Sequence, residues 1–134
     1  LENKDGSFKS SGEIATLIME SFVCNEKQWL EAVNVPNNGS IPNLPNDLVV
    51  EVPAYCDSNG IETVKMNPLP EPIAAIIRLH ASIHKLLVEA YDEESKDKLL
   101  QAILIEPTVN SYRNAVDMCN EMLELQKDVL PAIK

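Results

Sequence analysis

His80 and His84 are the only histidines in the chain, and they stand four residues apart. That spacing sets two imidazoles on one helix face, as metal-binding helices do. The H-E-x-x-H pattern needs a glutamate after the first histidine, where this chain has Ala81, and no third ligand is indicated. A helical wheel puts both near the centre of an apolar arc beside Ile73, so the pair reads as packed, hydrogen-bonded or interfacial. Cys24, Cys56 and Cys119 are unevenly spaced with no C-x-x-C pair; three reduced thiols acting as small hydrophobes fit that count better than a disulfide framework. Cys56 stands apart, because it ends a strand beside a turn, yet no base marks it as a nucleophile. The run Asp92-Glu93-Glu94 lacks the D-x-D-x-D-G spacing of a calcium loop and reads as a solvated helix junction. Asn37-Asn38-Gly39 reads as a turn rather than an anion nest. No G-x-G-x-x-G, P-loop or G-x-S-x-G is present. The residues by themselves therefore name no activity.

The elements that carry these residues are organised around the stretch from Val33 to Ile61, VNVPNNGSIPNLPNDLVVEVPAYCDSNGI. Leu48-Val49-Val50-Glu51-Val52 is a β-branched strand held between two turn clusters, Asn37-Asn38-Gly39 and Asp57-Ser58-Asn59-Gly60. Residues 28–35 predict a strand before it, limited by Pro36, and the alternation over Ile61–Met66 predicts one after it, giving a small antiparallel sheet. Upstream, Ser10-Ser11-Gly12-Glu13 has the S-x-x-E form of a capping box. Ile14, Leu17, Ile18 and Phe22 continue as one helical face, with Asn25 as its stop. From Pro68 the period becomes helical. A long helix entered at Pro70 and Pro72 carries Ile73, Ile76, Ile77, Leu79, Ile83, Leu86, Leu87, Val88 and Ala90 on one arc and is expected to be deeply packed. Residues 96–105 form a shorter helix stopped by Pro107. Asn110 or Ser111 caps a last one, with Tyr112, Ala115, Val116, Cys119, Met122 and Leu123 as its stripe. The fold class is α+β, a small antiparallel sheet packed with several helices and a mostly helical C-terminal half, in one domain spanning residues 1–134.

The 134 residues suit one domain with a usable core, mainly aliphatic because there are one Trp, two Phe and three Tyr. The formal charge of −10 would repel a phosphate backbone or an anionic membrane. Neither nucleic acid nor membrane is expected as a partner, and a cytoplasmic protein is the default. No apolar run approaches the roughly 20 residues of a membrane span, and no signal-peptide pattern opens the chain. Leu1 is not an initiator Met, so a processed chain or, in preference, a segment of something longer is expected.

The order S-G-E (Ser11–Glu13), N-V-P-N-x-G-x-I-P-N-L-P-x-D (Asn34–Asp47), V-V-E-V-P (Val49–Pro53), N-G-I (Asn59–Ile61), L-P (Leu69, Pro70), L-L-V-E-A (Leu86–Ala90) and Q-A-x-x-x-x-P (Gln101–Pro107) resembles the C-terminal domain of glycoside hydrolase family 4. That family includes α-glucosidases, α-galactosidases, α-galacturonidases and 6-phospho-glycosidases. The strand and turn also resemble the lactate and malate dehydrogenases, implying a fold like their C-terminal domain. The resemblance implies an NAD- and manganese-dependent glycosidase that works by redox elimination rather than two-carboxylate displacement. In such enzymes the sugar C3 hydroxyl is oxidised by NAD, the metal stabilises the enolate as a Tyr removes the C2 proton, and elimination, hydration and re-reduction follow. The family's dinucleotide-binding glycines, metal-binding Cys and His and catalytic Tyr would precede Leu1. Cys24, Cys56, Cys119, His80 and His84 are outside the matching motifs.

The resemblance thus implies that this segment alone binds neither NAD nor Mn2+ and has no glycosidase activity. Its partners would be its own N-terminal dinucleotide-binding domain, further copies in a homo-oligomer, and the sugar substrate of the parent enzyme. Ser11, Glu13 and Asn38 are the candidates for lying near substrate or a neighbouring subunit, with capping and turn formation as their other roles. Ile14 stands where the family often has an aromatic residue after S-G-E, and Asn67-Pro68 where it has Gly before L-P, so the subfamily is left open. The alternative from another class is a stand-alone helical module that dimerises through the helix from Ile73 to Ala90.

Overall fold

A computed structural model describes residues 14–134. The chain divides into two compact units, the first ending at Pro68 and the second running Leu69–Lys134. The capping box expected at Ser10–Glu13 lies outside the described residues.

The first unit holds helix α1 (Ala15–Cys24) and strands β1 (Gln28–Pro36), β2 (Val49–Asp57) and β3 (Gly60–Thr63). The strands form one antiparallel sheet in the order β1-β2-β3. Along β2 the side chains alternate. Val50, Val52, Ala54 and Cys56 are buried, while Val49, Glu51 and Tyr55 are exposed, as a strand with one covered face requires. The core joins Leu30, Val33, Ala54 and Cys56, with Leu17 and Ile18 of α1 and Val35 packed against it. On the opposite face Trp29 and Tyr55 meet edge to face at 5.0 Å. The Lys27 ammonium lies 4.6 Å from the Tyr55 ring centre and 3.4 Å from Glu62. Asn25 ends α1 in the left-handed conformation, φ 55°, and its Oδ1 accepts from the Ser58 hydroxyl at 2.5 Å, tying the helix end to the β2–β3 turn.

β2 runs through Pro53 to Asp57, four residues past the proline that closes the V-V-E-V-P motif. A proline in a central strand removes a ladder donor. Pro53 lies between Val52 and Ala54, which pair with β1 across an irregularity (Leu30↔Ala54, then Val33↔Val52), and its own polar groups face the β3 side. Its carbonyl accepts from Val64 N at 2.9 Å, one residue past the end of β3 at Thr63, so the missing N–H falls beyond the β2–β3 ladder. β3 stops at Thr63, short of Met66, because the chain then turns toward the long loop: Met66 N donates to Ser40 O at 2.8 Å.

The second unit holds α2 (Glu71–Asp92), α3 (Lys96–Leu104) and α4 (Tyr112–Leu125). Pro70 precedes the first turn of α2 and Pro72 lies within it, where backbone N–H groups have no helical acceptor. Ser95 and Ser111 cap α3 and α4, their hydroxyls accepting from Lys98 N and Asn114 N. Glu94 takes φ 52° between α2 and α3. Residue 134 pairs with this junction, Lys134 N donating to Glu94 O and Lys96 N to Lys134 O, both at 2.7 Å.

The expectation of a deeply packed α2 is corrected. Ala74, Ile83 and Ala90 are its buried residues, whereas Ile73, Ile76, Leu87 and Val88 are exposed, Val88 at 61%. Alanines allow close approach of neighbouring backbone, so they take the contact faces and leave the larger side chains of the arc outside. The stripe of α4 is likewise only partly covered: Ala115 and Cys119 are buried, while Tyr112 and Met122 are exposed.

Candidate functional site

The loop from Asn37 to Leu48 is built around one side chain. Asn37 is fully buried. Its amide nitrogen donates to the carbonyls of Ile41, Leu44 and Pro45 at 3.0, 3.0 and 3.1 Å, and its Oδ1 accepts from Ile41 N at 2.7 Å. Its own backbone donates to Leu48 O at 2.8 Å, closing the loop at its base. A loop with prolines at 42 and 45 cannot satisfy its carbonyls by a ladder, and the amide of Asn37 does so instead. Ile41 and Leu44 fold inward over it and are buried.

Asn38 and Gly39 then turn the chain with φ 43° and 76°, conformations that asparagine and glycine tolerate best. Asn38 is exposed at this turn. Its N–H donates to Asn46 O at 3.1 Å, and its carbonyl accepts from the Lys65 ammonium at 3.2 Å. Ser40, buried, shares a 2.7 Å hydroxyl contact with Thr63 of β3. Of the three site candidates, Asn38 is thus placed at an ordered, outward turn, while Ser11 and Glu13 lie outside the described residues. The organising role of Asn37 escaped the sequence reading, which took it only as a turn residue; its signal is an asparagine followed by a loop too rich in proline to pair its own carbonyls.

In the second unit His80 and His84 are exposed on α2. His80 Nδ1 lies 3.9 Å from Glu106 Oε2. Among the described residues no three His, Cys, Asp or Glu side chains converge as a metal site, so this donor set does not fit a bound Mn2+. The densest charge cluster binds α3 to α2: the Lys98 ammonium donates to Glu89 at 2.6 Å and to Glu93 at 2.7 Å. The hydrogen bond and charge of Lys98 hold the Glu89 carboxyl below its usual range, and the two carboxylates hold the Lys98 ammonium above its own. The Glu89 share of stability is then complete above its unfolded value of about 4.3 and lost as pH falls through the folded one. The Lys98 share is complete below about 10.4 and lost as pH rises through the raised value. Lys98→Met should therefore lower the melting temperature across the neutral range, with the gap to the parent chain narrowing at both extremes of a thermal-melt pH series.

Cys24 is exposed, whereas Cys56 and Cys119 are buried, and burial raises the Cys119 thiol pKa. Since the thiolate is the reactive form, iodoacetamide should label Cys24 first. Cys56 and Cys119 should react at least tenfold more slowly until denaturant is added, as mass spectrometry of time points would read. No helix of the described residues is long and apolar enough to cross a membrane.

Residues 2–109 match the model of the family 4 glycosyl hydrolase C-terminal domain. The chain is 39% identical over 99 residues to a maltose-6'-phosphate glucosidase of Clostridium acetobutylicum, covering 74% of this chain and 22% of that protein. It is 30% identical over 137 residues to an alpha-galactosidase of Bacillus subtilis, covering 100% of this chain and 32% of the other. A crystal structure of a 6-phospho-alpha-glucosidase from gut microorganisms, in complex with NAD and glucose-6-phosphate, superposes with a TM-score of 0.79 at 34% identity, over 88% of this chain and 26% of that one. The 6-phospho-beta glucosidase of Thermotoga maritima with manganese, NAD+ and glucose-6-phosphate gives 0.78 at 30% identity, over 87% and 30%. The chain spans between a fifth and a third of the length of these relatives.

Proposed function

Because the chain belongs to the family 4 glycosyl hydrolases and is their C-terminal domain, we propose that it completes the sugar site of an NAD- and divalent-metal-dependent glycosidase acting in the cytoplasm as a homo-oligomer. The observation that carries this reading is the family match over residues 2–109. Two similar solved enzymes, one at 34% and one at 30% identity, hold NAD and glucose-6-phosphate, the second with manganese as well. The match runs through both compact units, which supports treating residues 1–134 as one functional domain. NAD and Mn2+ would be held by an N-terminal dinucleotide-binding domain, and the bound pair would supply the hydride acceptor and the Lewis acid of redox elimination.

This segment's own contribution is shape and contact. The loop held by Asn37 sets Asn38 at an exposed turn, where it would face the sugar or a neighbouring subunit, and Ser11 and Glu13 are assigned the same neighbourhood. The exposed stripe of α2 supports a second reading, a stand-alone dimerisation module.

Thermal melts separate the two. The chain alone should show no shift in melting temperature with NAD or Mn2+, because a ligand stabilises only a fold that binds it. The product of the full reading frame should be stabilised by both and should cleave chromogenic glycosides or 6-phosphoglycosides only when both are present. Stabilisation of the chain alone by either ligand overturns the division of labour. A full product that cleaves none of these substrates overturns the glycosidase reading.

A further inference from the structure

Asn-Gly occurs twice in the chain, at Asn38-Gly39 and Asn59-Gly60. The pair is chemically labile, because glycine has no Cβ to keep its backbone nitrogen away from the side-chain amide carbon of the asparagine before it. The two sites share that dipeptide and differ in what holds it.

Gly60 closes the β2–β3 ladder opposite Asp57. Hydrogen-bonded pairs alternate with open ones along such a ladder, and the bond from Val64 N to Pro53 O sets the phase, so Asp57↔Gly60 is a bonded pair. The Gly60 N–H is therefore engaged, and the Asn59 N–H donates to the Asp57 carboxylate at 2.8 Å. Asn38-Gly39 is arranged the opposite way. Ser40 N donates to Asn37 O at 2.7 Å across a turn whose middle residues take φ 43° and 76°, and among the described residues the Gly39 N–H meets no acceptor. The other end of the same peptide unit is occupied: the Lys65 ammonium donates to Asn38 O at 3.2 Å and lies 3.9 Å from where a Cβ on Gly39 would stand. A cation on that oxygen stabilises the anion left when the Gly39 nitrogen gives up its proton. Asn38 itself is exposed, and its carboxamide takes no part in the bonds that order the loop.

We propose that Asn38-Gly39 is a self-modifying site, at which Lys65 promotes succinimide closure in the folded chain while Asn59-Gly60 is spared. The Gly39 nitrogen, its proton taken by solvent, attacks Cγ of Asn38; the Cγ–Nδ2 bond breaks and the carboxamide nitrogen leaves as ammonia. Water then opens the ring. Breaking the nitrogen's bond to Cγ leaves an aspartyl residue, and breaking its bond to the backbone carbonyl carbon leaves an isoaspartyl one, with an extra carbon in the main chain. Nothing is oxidised or reduced. Both products place a carboxylate beside Lys65. The reaction uses only this turn and water, so it stands apart from the glycosidase chemistry.

The test is a time course at mildly alkaline pH, on the folded chain and in guanidinium, read by mass spectrometry after cleavage at glutamate. Cutting after Glu31, Glu51 and Glu62 puts the two sites on separate peptides, 32–51 and 52–62. In the folded chain the first should convert, at Asn38, to two products of one mass, aspartyl and isoaspartyl, several times faster than the second converts at Asn59. Guanidinium should bring the two rates together. Lys65→Met should slow the Asn38 reaction about fivefold, the effect of one exposed charge interaction on a rate, and Lys65→Arg, which keeps the cation, should not. Equal rates in the folded chain, a faster Asn59, a ratio that survives guanidinium or a single aspartyl product each overturn the proposal. So does a Lys65→Met variant that keeps the parent's circular dichroism and reacts at the parent's rate; should that variant unfold, the folded-to-guanidinium comparison on the parent decides.

Discussion

Asn37→Asp should cost the first unit about 3–5 kcal/mol, the range for a buried charge left without a partner. The substitution is nearly isosteric, so packing changes little. What changes is that the nitrogen donating to the carbonyls of Ile41, Leu44 and Pro45 at 3.0–3.1 Å becomes an oxygen. Three acceptors then face a fourth, and an ionised carboxylate in that fully buried position is repelled by all of them. Trp29, the sole tryptophan, lies on β1 of the same unit, so its fluorescence in a urea titration reports that unit. The loss should shrink in acid, where a protonated Asp can donate one bond. An Asn37→Asp variant within about 0.5 kcal/mol of the parent, the spread of ordinary surface changes, would mean that the amide does not hold the loop.

Leu30→Ala should cost about 2–5 kcal/mol. Leu30 is 1% exposed and lies in the cluster with Val33, Ala54 and Cys56, capped by Leu17 and Ile18 of α1. The paired β2 backbone beside it and α1 over it limit collapse into the space left, so the cavity term adds to the transfer term. Val49→Ala, also on the sheet but 60% exposed, should stay within about 0.5 kcal/mol. The same urea titration compares them, and equal losses would contradict the assignment of the buried face.

The sequence made the elements legible where local chemistry and burial agree. The β-branched run at Val49–Val52, the Asn25 stop and the Ser111 cap each specify their structure within a few residues, and the structure has them there. Two things were out of reach. Pro53 inside β2 is tolerated because its missing N–H faces the β3 side just past that strand's end at Thr63, a non-local fact that no window of sequence carries. The wide apolar arc of α2 told of a face that avoids water, but periodicity does not say what covers it; the structure buries Ala74, Ile83 and Ala90 and leaves the larger residues outside. The candidate site was legible only through family motifs. An exposed turn residue such as Asn38 has no chemical signature of its own, and the network of Asn37 depends on carbonyls up to eight positions away.

The central claim is that this chain is the C-terminal domain of an NAD- and metal-dependent glycosidase, and reading the coding sequence upstream of the Leu1 codon tests it most directly. The expected result is an open frame that encodes a Gly-rich strand–turn–helix, then a Cys and a His in metal-binding context, then a Tyr. A start codon with its ribosome-binding site just upstream of Leu1 would contradict the claim, leaving a stand-alone module with none of the groups the reaction needs.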